Sequence, residues 1–126
     1  MSFGGIKVTS ADRLCSLYVR YKAKWYCEIC GMGFANRHVG LHCSHYFSRS
    51  RKSTRYHLPN LIAACVNCHK YLGSHHTEYE AMMRKRLGEK GYRDLLIQWN
   101  KVEKDDVKLW TLIYRKLLKD DFGIKV

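Results

Sequence analysis

The stretch LHCSHYFSRSRKSTRYHLPNLIAACVNCHK, residues 41–70, holds four histidines (His42, His45, His57 and His69), three cysteines and five cations, and it has no carboxylate. It ends on the pair Cys65 and Cys68, and a second C-x2-C pair, Cys27 and Cys30, precedes it. Two thiolates at this spacing can take adjacent corners of a tetrahedron, and two such pairs complete the sulfur shell of a structural Zn2+. One pair alone would equally suit a redox dithiol. The 34 residues between Cys30 and Cys65 exceed the usual separation in a simple zinc ribbon, so a further unit is inserted between the knuckles. Cys15, in a helical stripe, and Cys43, in an expected strand, read as buried thiols.

Outward from this segment, charge is distributed unevenly. The chain has 126 residues, 46% hydrophobic and 27% charged, with a formal net charge of +12. That composition excludes a disordered chain and suits one globular domain, residues 1–126, with a modest core. Residues 29–77 carry six basic residues, no Asp or Glu, and all seven histidines. Such a segment attracts polyanions, of which nucleic acid is the commonest in a cell. Met1–Lys7 lacks the apolar run of a signal peptide, and no stretch approaches the roughly 18 apolar residues of a membrane span. Six cysteines in such a chain point to a metal in a cytoplasmic protein rather than to three disulfides.

Periodicity supplies the flanks. Ser10 reads as the N-cap of a helix over about 11–24, with Leu14, Leu17, Tyr18, Tyr21 and Trp25 as its core stripe. Beyond Cys30, the glycines at 31, 33 and 40 suggest loops and short strands. Thr77-x-x-Glu80 has the form of a capping box, followed by an apolar face of Tyr79, Met82, Met83 and Leu87 that Gly88 ends. A short helix over about 91–99 follows. A last helix begins near Asp105 or Asp106, with Val107, Trp110, Tyr114, Leu117 and Leu118 inward. The expected class is α+β: an N-terminal helical part (1–26), a zinc-stapled core (27–75) and a helical C-terminal part (76–126).

His45, then Pro59-Asn60-Leu61, then Cys65-x2-Cys68-His69 resemble the HNH endonucleases, a ββα-metal superfamily, over about residues 27–75. The Cys43-Ser-His-Tyr-Phe-Ser-Arg49 run, Leu72-Gly73 and the flanking helices look like the phage recombination nucleases of the Ref and NinG/Rap type, through about residue 97. The resemblance implies a metal-dependent DNA endonuclease, with His45 as general base, Asn60 orienting that imidazole from a turn, and His69 ligating one catalytic divalent cation. It further implies a role in DNA recombination at strand-exchange or branched intermediates, alongside a RecA-like recombinase, in the cytoplasm of a bacterial host if the chain is phage-encoded.

The chemistry is consistent with those residue types. Phosphodiester hydrolysis needs an activated water, neutralised phosphate charge and a stabilised leaving oxygen; an imidazole can accept the proton and a divalent cation can supply the charge. Many members of the superfamily carry Asp immediately before the first His, where this chain has Ser44, and no carboxylate lies between Ile29 and Thr77. In a strand over 41–46, His42 shares a face with Ser44 about 7 Å away and is the candidate second ligand. Two imidazoles suit Mn2+ or Zn2+ better than Mg2+. His75 and His76 are weaker candidates, and His38 and His57 receive no role. Arg49, Arg51, Lys52 and Arg55, expected on the tip and sides of a β-hairpin, suit phosphate contacts. The alternative is a non-catalytic zinc-knuckle module binding DNA, or RNA with Tyr46, Phe47 and Tyr56 as stacking platforms.

Overall fold

A computed structural model of the chain describes residues 2–3, 6–35 and 39–126, with side chains described from residue 6 onward. Along the chain run β1 (Ser2–Phe3), β2 (Ile6–Lys7), α1 (Ser10–Lys22), β3 (Leu41–His45), a 3-10 turn (Leu58–Asn60), β4 (Leu61–Cys65), α2 (Val66–Ser74), α3 (His76–Asn100) and α4 (Val107–Phe122). The fold is therefore mixed α+β. β1 and β2 form a small antiparallel pair, and β3 and β4 form a second, with Leu41 opposite Cys65 and His45 opposite Leu61.

β4 explains why this arrangement packs. Its sequence, Leu-Ile-Ala-Ala-Cys, has no polar alternation, and all five residues are buried. Leu61, Ala63 and Cys65 join one apolar cluster with Ala11, Cys15, Tyr18 and Val19 of α1 and Tyr114 and Leu118 of α4. Ile62 joins a second with Leu72 of α2 and Tyr79, Met83, Tyr92 and Leu95 of α3. Each fully buried large side chain contributes about 1.5–3 kcal/mol, so covering both faces of one short strand holds the helices to it.

The helical boundaries follow local chemistry and differ from the sequence reading at both ends of α1, on its core face and at the start of α3. α1 is capped by Thr9 rather than Ser10: Thr9 accepts from Asp12 N–H while the Asp12 carboxylate accepts from Thr9 N–H, a reciprocal box worth about 1 kcal/mol. It ends at Lys22, because Lys24 and Trp25 take left-handed backbone at φ 56° and 62°. Its interior face is Ala11, Cys15, Tyr18 and Val19, whereas Leu14, Leu17 and Tyr21 are half-buried. Thr77 does not cap α3, which begins at His76 because only His75 separates it from α2 and Tyr79 N–H already donates to His75 O. Gly88 interrupts α3 as expected, at φ 74° and ψ 169°. Asp106 caps α4 through Leu109 N–H.

Residues 46–60 connect β3 to β4 with Ser48, Ser50, Arg51 and Lys52 exposed, but the rest of the connection turns inward. Ser53, Thr54, Arg55, Tyr56 and Asn60 are buried, and Tyr114 Oη donates to Tyr56 O. This connection packs into the core because its polar atoms find long-range partners, a condition that buried polar groups must meet.

Candidate functional site

The four cysteines Cys27, Cys30, Cys65 and Cys68 converge, with their sulfurs within 4.8 Å of one another. Cys30 Sγ and Cys65 Sγ lie 3.8 Å apart, close to the edge of a tetrahedron with about 2.3 Å zinc–sulfur bonds. Cys30 N–H points at Cys27 Sγ at 3.5 Å and Cys68 N–H at Cys65 Sγ at 3.4 Å, donors that stabilise thiolate. Burial pushes the Cys27 thiol up, but backbone N–H groups of Cys30, Cys65 and Ile29 outweigh it and hold the thiol down to about 7. Four sulfurs converging at this spacing fit structural zinc. Between the knuckles, Glu28 N–H donates to Ala63 O at 2.9 Å and Glu28 Oε2 accepts from Ala63 N–H at 2.6 Å, fastening the first knuckle to β4.

Beside this cluster, His42, Cys43, His45 and His69 line one cleft with Ser16, Arg20, Ser48 and Arg49. The sheet places them there. Backbone bonds from Tyr46 N–H to Asn60 O and from Val66 N–H to Gly40 O put the even-numbered residues of β3 in the pairing positions. Leu41, Cys43 and His45 therefore turn their backbone groups to the open edge, where Arg20 Nε donates to Leu41 O at 3.0 Å. Above one face of the sheet, the His42 and His69 rings stack with centroids 5.4 Å apart and planes 4° apart. His45 reaches the same edge from the other face. His69 Nδ1 is buried and has no hydrogen-bond partner. Burial lowers the pKa of His42, with the Arg20 charge adding to it, and burial and His42 likewise lower that of His69, so both offer neutral lone pairs.

His45 Nε2 lies 3.1 Å from Arg55 O, and since a carbonyl can only accept, Nε2 carries the proton and Nδ1 the lone pair. Burial pushes the His45 pKa down to about 4. Asn60 makes no hydrogen bond to the imidazole. Its Nδ2 donates to Phe47 O and Thr54 O, and its Oδ1 accepts from Phe47 N–H at 2.7 Å, so it clamps the two ends of the segment whose next carbonyl holds His45. Ser44 lines no part of the cleft; its hydroxyl meets Tyr79 Oη at 2.7 Å on the buried side.

The four expected phosphate-contacting cations separate into different roles. Arg55 is a correction: its guanidinium is buried, bonded to both Asp12 oxygens, to Asp105 and to Lys7 O, and it is turned away from solvent because those partners neutralise it inside the core. Arg51 is exposed, with its Nε donating to Trp99 O and its charge 5.1 Å from that ring's centroid. Lys52 is exposed. Arg49 lines the cleft while donating to Ile6 O at 2.8 Å. Cys15 is buried as expected, but Cys43 is half-buried and borders the cleft. His75 and His76 are exposed and line no part of it, and His38 lies outside the described residues.

Sequence reading missed Ser16 and Arg20, which α1 brings to the cleft with Arg20 Nη1 donating to Ser16 Oγ at 2.6 Å. Their four-residue spacing, which puts them on one side of the helix, was the available signal. No family model, curated protein or solved structure matches this chain. Among the described residues, no helix is long and apolar enough to cross a membrane.

Proposed function

We propose that the chain is a metal-dependent DNA endonuclease of the HNH type, with DNA bound across the histidine cleft. The observation that carries this reading is the meeting of His42, His45 and His69 at one cationic strand edge beside a four-cysteine cluster. His45, fixed by Arg55 O, presents Nδ1 to a water and takes its proton. Its suppressed basicity rises when an anionic phosphodiester lies beside it, since a neighbouring negative charge favours imidazolium. Arg20 and Arg49 attract and orient the phosphate. His42 and His69 would hold one divalent cation, Mn2+, Zn2+ or Mg2+, which would supply positive charge for the phosphate and the leaving oxygen; neither residue is a carboxylate.

A zinc-knuckle module that binds nucleic acid without cutting it is the second reading, favoured by the same lack of carboxylate and by His45's low pKa. Purified protein incubated with supercoiled, single-stranded and branched DNA, with Mg2+, Mn2+ or no added metal, separates the two. The nuclease reading requires metal-dependent cleavage that falls by about 100-fold or more in His45→Ala while binding persists. Binding with no cleavage on any substrate leaves the module. Cleavage partners such as a RecA-like recombinase, and the recombination role, enter only if cutting responds to added recombinase filaments.

A further inference from the structure

The histidine cleft does not end at His45. A cavity of about 510 Å3 continues from it between α1 and the open edge of β3, sharing Ser16, Arg20, Cys43, His45 and Arg49 with the histidine end. Its far wall changes character: Val8, Leu14 and Leu17 supply a mostly apolar surface. These leucines are half-buried: each packs against the edge of the α1–α4 core cluster and also lines this cavity. Arg13 borders the same end. Among the described residues, Asp12 is the one carboxylate lining the cavity; it pairs with Arg55 at 2.6 Å, and Arg13, Arg20 and Arg49 keep the lining cationic.

Resting on the reading of the histidine end as a DNA site, we infer that this apolar end receives the base of an unpaired DNA nucleotide whose neighbouring phosphate lies at His45 and Arg49. A volume of this size falls in the range of pockets that take small organic ligands and exceeds what a phosphate needs. A nucleobase has apolar faces and polar edges. In a duplex the faces are stacked and only the edges are reachable from the grooves. A base whose face lies against Leu14 and Leu17 must therefore have left its stack or never been in one. The cleft thus alternates a cationic, histidine-lined phosphate position with an apolar base position, as a single strand alternates phosphate and base. The favoured substrate is single-stranded DNA, or the unpaired part of a larger DNA.

Charge alone predicts the opposite preference, because a duplex has the higher charge density and releases more counterions on binding. That contrast makes the test decisive. Full-length protein supplied with Zn2+ during expression, and assayed without Mg2+ or Mn2+, is titrated by fluorescence anisotropy against labelled dT 20-mer, a 20-base-pair duplex, and a 20-mer of abasic residues. The expected result is binding of dT 20-mer about tenfold tighter than of either other DNA. In Leu17→Trp, which fills the cavity, the dT 20-mer falls to the abasic level while duplex affinity stays within about twofold. Equal binding of dT and abasic strands, or duplex binding as tight as dT, overturns the base site while leaving a DNA site standing. Failure to bind any of the three DNAs overturns the DNA reading itself. The comparison of the three DNAs uses only the unaltered protein and does not depend on the variant folding.

Discussion

Arg55 and Arg51 are four residues apart in one basic run, yet their surroundings differ completely. Arg55 Nε and Nη2 fork onto the two Asp12 oxygens at 3.1 and 2.6 Å, Nη1 reaches Asp105 at 2.9 Å, and Nη2 also donates to Lys7 O. Its carbonyl accepts from His45, so one buried residue joins α1, β2, the approach to α4 and the imidazole. Replacing Arg55 by Ala would leave Asp12 charged and unpaired in the core, at a cost of about 3–5 kcal/mol. Removing Arg51 forfeits an exposed contact with Trp99 worth about 0.5–1 kcal/mol. Urea denaturation of the two variants should separate them by that margin, with Arg55→Lys recovering only part of the loss because an ammonium cannot fork; equal costs would mean the buried pair contributes nothing special. Sequence could identify the histidines and cysteines because ligand chemistry restricts them to few residue types. It could not show which arginine faces water, since that depends on Asp12, 43 residues away, and Asp105, 50 away.

At the scale of elements, apolar period was legible and junction chemistry was not. α4 lies where its stripe and Asp106 cap place it, and the two halves of α3 lie either side of Gly88. The caps at Ser10 and Thr77 were misread because Ser/Thr followed by an acidic residue recurs by chance, and tertiary packing chooses which instance is used. Gly88 has φ 74° and ψ 169°, a region essentially confined to glycine, and a Cβ there would meet nothing within 4 Å. Its cost on substitution is therefore purely conformational. Gly88→Ala should lower stability by about 1–3 kcal/mol in thermal or urea unfolding. A neutral or stabilising result would mean that α3 can run straight through residue 88 while Tyr92 and Leu95 still reach the core they share with Met83.

For the whole molecule, the question is what keeps β4 between two apolar clusters that share no large helix. α1 and α4 cover one face and α2 and α3 the other, and among the described residues the sheet between them has two strands. A two-stranded sheet is marginal on its own. The cysteine cluster sits at the end of that sheet, where Cys65 is both the last residue of β4 and the N-cap of α2, while Cys27 and Cys30 lie just beyond α1. A metal there would tie the helix of one cluster to the strand and helix of the other. The sequence disclosed the cysteine cluster through its spacing alone, but could not disclose what it lies between, because both apolar clusters are assembled from residues distant along the chain. Structural zinc in small domains contributes about 10 kcal/mol or more, comparable with the total stability of a domain this size. The purified chain should therefore carry close to one equivalent of zinc, and a strong chelator should lower its melting temperature by more than about 10 °C. Cys68→Ser should reproduce the loss without chelator, whereas Cys15→Ala, a buried thiol outside the cluster, should keep both the zinc and its chelator sensitivity. A chain that purifies without zinc and melts at the same temperature with or without chelator would show that packing around β4 suffices, and that the four cysteines are not what holds the two halves together.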